Sequence, residues 1–258
     1  MGTKYSSLEA VRGLLAERGS HSHTSDRYQA DVLENVINCL GAGDCVIELG
    51  IFKGGLSCQL AYVLESTGRE LILIDVGQQY IEGTRKLIED LGLQTNIRYF
   101  TGTMQQFMAQ HADVRPAIII VDANHAYASV SDDIRTIKRM KYQPAAVVFH
   151  DASLRYARSQ KAVSVRVDQA VADHYLRYGY EYLEIGVSGA DDDKGLQRIM
   201  GVSAEWGDHH YHDRRCSEGI LVVVDKPAFT RALPFAQHEL RGWPQGWIRR
   251  MWERYWKR

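Results

Sequence analysis

Five short apolar runs punctuate the middle of the chain: CVIEL (45–49), ELILID (70–75), IRYF (97–100), AIIIVD (117–122) and AAVVFHD (145–151). Each is too short for a free-standing helix and too continuous for a strand with one wet face, which predicts parallel strands covered on both sides. Between the runs the apolar period changes. Leu56, Leu60, Val63 and Leu64 form a stripe at helical spacing, as do Ile81, Leu87, Ile88 and Leu91, and then Val130, Ile134, Ile137 and Met140. Ser129 is placed to cap the third of these helices, with Asp132 and Asp133 in its first turn. Further helices are predicted over residues 25–40, capped by Ser25 or Thr24, and over roughly 160–176. The strands YEYLEI (180–185) and GILVVVD (219–225) enclose a long polar segment. Strands alternating with helices of this length imply right-handed crossovers and a doubly wound α/β sheet. In such a sheet ligands bind beyond the carboxyl ends of the strands, so chemistry is to be sought there.

Composition narrows the class. With 258 residues, 45% hydrophobic and 24% charged, the chain has the balance of a globular protein large enough to bury a continuous core. The formal charge of −1 argues against a dedicated nucleic-acid binder, yet it conceals an asymmetry. Residues 241–258 hold six basic side chains (Arg241, Arg249, Arg250, Arg254, Lys257, Arg258), one acidic (Glu253) and four of the five tryptophans (Trp243, Trp247, Trp252, Trp256). On a helical wheel Trp247, Met251 and Tyr255 share one face and the cations another, which suits an interfacial membrane helix or a face docked on the domain or on a partner chain. The expected organisation is one domain over 1–240, with a helical cap at 1–42 and a core at 43–226, followed by the tail at 241–258. Four cysteines without C-x-x-C spacing, no apolar run near the roughly 20 residues that span a bilayer, and no leader-like start point to a cytoplasmic protein. Its tail would meet the inner face of the membrane, and self-association is compatible with the same features.

The segment Val46-Ile47-Glu48-Leu49-Gly50-Ile51-Phe52-Lys53-Gly54-Gly55-Leu56-Ser57 reads as a strand, a glycine turn and a helix start. Its G-x-x-x-G spacing is neither the G-x-G-x-x-G dinucleotide fingerprint nor a P-loop, so a nicotinamide enzyme is disfavoured. An acidic residue two before the first glycine, then a glycine loop opening a helix, resembles the first motif of the class I S-adenosylmethionine-dependent methyltransferases. That resemblance implies a Rossmann-like seven-stranded sheet, mostly parallel with its last strand antiparallel. It also implies that Asp75, ending the second strand, binds the cofactor's ribose, and that Gly102-Thr103-Met104 borders the adenine. The implied cofactor set is completed by Glu48, Gly50, Phe52, Gly54, Ser57, Val76 and Asp122. The alternative is that Gly50 and Gly54 serve only a tight turn and that Asp75 caps the next helix.

Asp122 ends the fourth run, His125 follows three residues later, and His150-Asp151 ends the fifth. Adjacent parallel strands lie about 5 Å apart, so Asp122, His150 and Asp151 can converge on one divalent ion, magnesium first. The arrangement resembles the metal-dependent O-methyltransferases, and D-x-N-H-x-Y followed by F-H-D looks most like the group of macrolide-sugar O-methyltransferases and cephalosporin hydroxylase-like proteins. His150 stands where catechol-type enzymes carry a carboxylate, which makes manganese, iron or zinc more competitive. His125 stands where they carry a lysine, and a histidine there can accept a proton from a hydroxyl, with Asp122 as the other candidate base. Alternatively Asp122 and Asp151 cap loops and His125 merely orders one. Asp208-His209-His210-Tyr211-His212-Asp213 reads as a solvated or acceptor-facing loop rather than a structural metal site, and Asp191-Asp192-Asp193 as a solvated one. The resemblance implies that His21, Ser22, His23 and Arg27 belong to a cap that helps choose the acceptor, the alternative being a plain helix N-terminus. The resemblance therefore implies a metal-assisted O-methyltransferase acting on a sugar, glycan or glycosylated metabolite. A catechol-like acceptor, or a non-catalytic scaffold with the same fold, are the alternatives.

Overall fold

The computed structural model describes residues 7–20, 24–152, 165–188 and 216–229. Two helices, α1 (Leu8–Glu17) and α2 (Asp26–Cys39), precede β1 (Cys45–Leu49), α3 (Gly55–Leu64), β2 (Glu70–Asp75) and α4 (Gln78–Leu91). Then come β3 (Ile97–Thr101), α5 (Met104–Gln110), β4 (Pro116–Val121), α6 (Tyr127–Lys138), β5 (Ala146–His150), α7 (Val167–His174), β6 (Tyr182–Ser188) and β7 (Cys216–Val223). The seven strands make one sheet in the order β3-β2-β1-β4-β5-β7-β6, with β7 antiparallel to both of its neighbours. The doubly wound, seven-stranded expectation is met, including its antiparallel last strand.

The period-2 alternation of strand side chains sorts the core into two layers. Val46, Leu71, Leu73, Ile118, Ile120, Ala146 and Val148 face α1 to α4. Ile47, Leu49, Ile72, Ile74, Ile119, Val121, Val147 and Phe149 face α5 to α7. Strand order reverses between β1 and β4, so the crevice for a ligand opens at the carboxyl ends of those two strands.

Four details depart from the pattern. IRYF is not covered on both faces: β3 is an edge strand whose residues are half-buried, and Arg98 on it pairs with Glu70 at 3.0 Å. Ser129 is not a cap. The Asn124 side chain accepts the Ala126 N–H at 2.8 Å and turns the chain early, so α6 starts at Tyr127 and Ser129 falls inside its first turn. Both C-terminal strands are displaced, β6 starting later and β7 earlier than the apolar runs suggest, because the ladder continues through polar residues such as Glu218. Of the helix expected at 160–176 the described part is Val167–His174. Ser25 rather than Thr24 caps α2, its hydroxyl accepting the Tyr28 N–H at 2.8 Å. Cys39, Cys45 and Cys58 are buried free thiols. Among the described residues no helix is long and apolar enough to cross a membrane. His21 to His23, Asp191 to Asp193, Asp208 to Asp213 and the tail at 241–258 lie outside the described residues.

Candidate active site

β1 delivers Glu48 and then Gly50, which has φ +86 and donates its N–H to Ile74 O at 2.9 Å. Asp122 N–H in turn donates to Leu49 O at 2.8 Å, so the loops after β1 and β4 lie backbone to backbone. A Cβ on Gly50 would stand 2.2 Å from the Asp122 carbonyl oxygen. Gly54, at φ +76, begins α3 against Thr84, which a Cβ would meet at 2.6 Å. Both glycines are therefore required by the close packing of this loop on its own chain. Phe52 sits at φ +43, 42% exposed, with its ring 5.5 Å from that of Tyr80. Val76, in the loop after β2, is 71% exposed.

Asp75 ties these loops together. One carboxylate oxygen accepts the Ile51 N–H at 2.9 Å and the other the Gly77 N–H at 2.8 Å, Gly77 being the residue before α4. Part of the capping role left open for Asp75 is thus observed, and each oxygen keeps a lone pair for a further donor. Gly102 N–H donates to Asp75 O at 2.9 Å, placing the third loop next to the second. Thr103 caps α5 through a reciprocal pair with Gln106, and Met104 is wholly buried in the apolar layer. Thr103→Ala is expected to cost about 1 kcal/mol in a urea melt; an unchanged midpoint would show that the cap contributes nothing.

Glu48 is buried, and burial pushes its carboxyl up to about 8, with Ser57 beside it opposing and Asp122 and Asp75 adding to the rise. Its Oε2 has no hydrogen-bond partner among the described residues. An ammonium arriving at the end of β1 would satisfy it, which is the fit an amino-acid cofactor requires. In the folded protein Glu48 keeps its proton to about pH 8, whereas an unfolded chain releases it from an ordinary carboxyl near 4.5. Between those values the folded state binds more protons, so raising the pH erodes stability. The raised His125, His150 and Asp151 act in the same direction. The ligand-free protein should therefore be more stable to urea near pH 5.5 than near pH 8, by a few kcal/mol, and Glu48→Gln should flatten that slope. An equal slope in the variant would remove Glu48 from the account.

The carboxyl ends of β4 and β5 bring the second group together. His150 Nδ1 lies 2.8 Å from Asp122 Oδ1 and 3.3 Å from Asp151 Oδ1. His125 Nε2 lies 3.0 Å from Asp151 Oδ2 and 3.5 Å from Asp122 Oδ1, as an ion pair not aligned for a hydrogen bond. The His125 backbone is pinned as well, its carbonyl accepting the Arg166 N–H at 2.9 Å. Asp151 holds φ +59, a left-handed conformation costly for a residue with a Cβ and retained only where the surroundings enforce it. Burial opposes ionisation of Asp122, yet His150 and His125 beside it bring its carboxyl down to about 2. Burial likewise raises Asp151 against the pull of the two imidazoles. Burial disfavours charge on both histidines, but the carboxylates outweigh it, so His150 and His125 stand above their ordinary value.

Asp122, His125, His150 and Asp151 each offer a ligand atom within 4.8 Å of the others. Opposite ligands of a small divalent ion stand about 4.2 Å apart, so the span fits one ion, and two oxygens with two nitrogens suit manganese, iron or zinc as well as magnesium. Two participants were not legible from the chain. Glu218, on β7, accepts from His150 Nε2 at 3.1 Å, and the Tyr28 ring lies 4.7 Å from that of His150. Glu218 is a lone acidic residue before an apolar run and Tyr28 one aromatic in a helical stripe, so neither had a spacing to betray it.

Residues 47–152 match the sequence profile of a family described as a methyltransferase domain. Over this segment the chain is similar to methyltransferase domains. Among curated proteins none matches the sequence. In fold the chain is similar to an O-methyltransferase from Bacillus cereus in complex with S-adenosylhomocysteine, at 16% identity and TM-score 0.55, covering 86% of this chain and 92% of that one. It is similar also to the O-methyltransferase TomG from Streptomyces achromogenes, involved in tomaymycin synthesis and in complex with S-adenosylmethionine, at 14% identity and TM-score 0.54, covering 86% and 91%. At these identities the likeness is one of fold. The matched segment contains every predicted site residue from Glu48 to Asp151, whereas Glu218 and both N-terminal helices lie outside it.

Proposed function

We propose that this protein is an S-adenosylmethionine-dependent O-methyltransferase that uses a divalent metal to methylate a hydroxyl of a sugar, glycan or glycosylated metabolite. The convergence of Asp122, His125, His150 and Asp151 at the mouth of a methyltransferase-type crevice carries the reading. Glu48 receives the cofactor's ammonium and Asp75 its ribose, with Gly102 and the Thr103 backbone bordering the adenine. Phe52 and Val76 supply exposed apolar surface beside it, and Gly50, Gly54 and Ser57 shape the loop. Asp122, His150 and Asp151 hold the metal. A divalent ion there supplies positive charge that makes a neighbouring hydroxyl more acidic.

His125 holds its imidazole against Asp151 and Asp122 and takes the hydroxyl proton when neutral, a state those carboxylates disfavour while nothing else offsets their charge. The hydroxyl oxygen bonds to the methyl carbon as the carbon–sulfur bond of the sulfonium breaks, leaving neutral S-adenosylhomocysteine. The rim at Asn124 and His125 is polar and favours a hydroxyl-rich acceptor over a flat phenol. The test is transfer of labelled methyl to a panel of glycosides and catechols, with magnesium or manganese and with excess EDTA. Glycoside methylation that EDTA abolishes is expected. Equal activity in EDTA would remove the metal, methylation of catechols alone would remove the sugar, and failure to bind S-adenosylhomocysteine would remove the whole reading.

A further inference from the structure

We propose that Glu218 is a positioning residue that presents His150 Nδ1 to the metal site, and that it is itself held in place by the first turn of the cap. The inference rests on the metal reading above and extends it beyond the segment that the methyltransferase profile covers.

A carboxylate can only accept, so the 3.1 Å contact from His150 Nε2 to Glu218 Oε1 requires the hydrogen to be on Nε2. Nδ1 also faces carboxylates, 2.8 Å from Asp122 and 3.3 Å from Asp151, and carries a hydrogen while no ion is bound. An arriving ion displaces that hydrogen and takes the Nδ1 lone pair, while Nε2 keeps its own hydrogen on Glu218. Were Glu218 absent, the ring could flip or change tautomer and withdraw that lone pair. Glu218 has no such freedom. Its side chain is 4% exposed, and the Ser25 N–H donates to both oxygens, at 2.9 and 3.2 Å. Its backbone carbonyl accepts the Ala152 N–H at 3.2 Å, just past the strained Asp151.

The other side of the imidazole is closed by Tyr28, three residues into the cap helix from Ser25. Room for that ring exists only because residues 186 and 219 lack side chains. A Cβ on Gly186 would stand 2.8 Å from Tyr28 Cβ, and one on Gly219 2.7 Å from Tyr28 Cε2. Ser25, Tyr28 and Glu218 thus form a socket for one imidazole, built from two elements that carry no predicted ligand.

The experiment compares Mn2+ binding by titration calorimetry in the wild type, Glu218→Ala and Glu218→Gln, with S-adenosylhomocysteine affinity as the measure of an intact fold. Glu218→Ala should weaken Mn2+ by about 10- to 100-fold while changing S-adenosylhomocysteine affinity less than about twofold. Glu218→Gln should recover most of the loss, because an amide oxygen can replace Oε1, which accepts from both Ser25 and His150. Unchanged Mn2+ affinity in Glu218→Ala, or a glutamine variant as weak as alanine, would overturn the positioning role while leaving the metal in place. A wild type that binds no Mn2+ would overturn the metal reading and this inference with it. Should Glu218→Ala fail to fold, 15N spectra of histidine-labelled wild type with saturating Zn2+, assigned against His150→Gln, decide the matter. Retention of the proton on Nε2 with Nδ1 bound supports the role, and the reverse arrangement refutes it.

Discussion

Asp122→Ala is expected to lower methyl transfer by at least about a thousandfold and to abolish tight divalent-ion binding, while S-adenosylhomocysteine affinity changes only a few-fold. One oxygen of this carboxylate stands 2.8 Å from His150 and 3.5 Å from His125, so a single truncation removes an ionic partner from both imidazoles and leaves each of them with Asp151. The His150 Nδ1–H also loses an ionic partner in a buried position, which should cost about 3 kcal/mol or more of stability. Cofactor affinity must therefore be measured beside activity, so that loss of chemistry is not confused with loss of fold. Asp122→Asn keeps the size and an acceptor oxygen and should be the more stable of the two, yet equally unable to bind the ion tightly. If either variant turned over at the wild-type rate, the shared cluster would have no part in the reaction.

Gly50→Ala should be the most damaging single-methyl change in the described part of the chain, by about 3 kcal/mol or more in urea unfolding. Two effects combine there. The backbone is at φ +86, and the added carbon would lie 2.2 Å from the Asp122 carbonyl oxygen, a backbone atom that cannot swing aside. Gly68→Ala separates them, because Gly68 has φ +67 but nothing within 4 Å of its would-be Cβ. It should show the conformational strain alone, about 1 kcal/mol. A Gly50 variant no worse than the Gly68 variant would mean that the two loops are not in close contact in solution. Because the neighbour it strikes is Asp122, the methyl at position 50 should disturb both halves of the site.

What could be read along the chain followed from how local each signal was. Continuous runs such as AIIIVD and the helical stripes between them were legible because burial on both faces leaves a one-dimensional trace. The ends of runs also marked Glu48, Asp75, Asp122, His150 and Asp151, and the sheet brings the last three together. IRYF misled because an edge strand can carry the apolar density of a central one while half its surface stays open. Ser129 misled because Asn124 ended the loop sooner than the capping pattern allowed. Glu218 reaches His150 across the antiparallel pairing of β7 with β5, 68 residues away in the chain, and no local spacing encodes such a contact. The glycine loop resembled a cofactor cradle, and the structure adds that Gly50 and Gly54 are needed first for the chain's own packing.

Among the described residues the cap is hydrogen-bonded to the far edge of the sheet by Ser25 N–H to Glu218 and through Asp31, whose Oδ2 accepts the Gly186 N–H at 2.9 Å. For anyone building chimeras, the first helices are then not an interchangeable cassette. Exchanging them to alter acceptor choice would disturb the Ser25 N–H donor of Glu218 and remove the acceptor of the Gly186 N–H unless the β6–β7 hairpin travelled with them. Variation in this region is accordingly expected to occur in concert, with the start of α2 and that hairpin inherited as one unit.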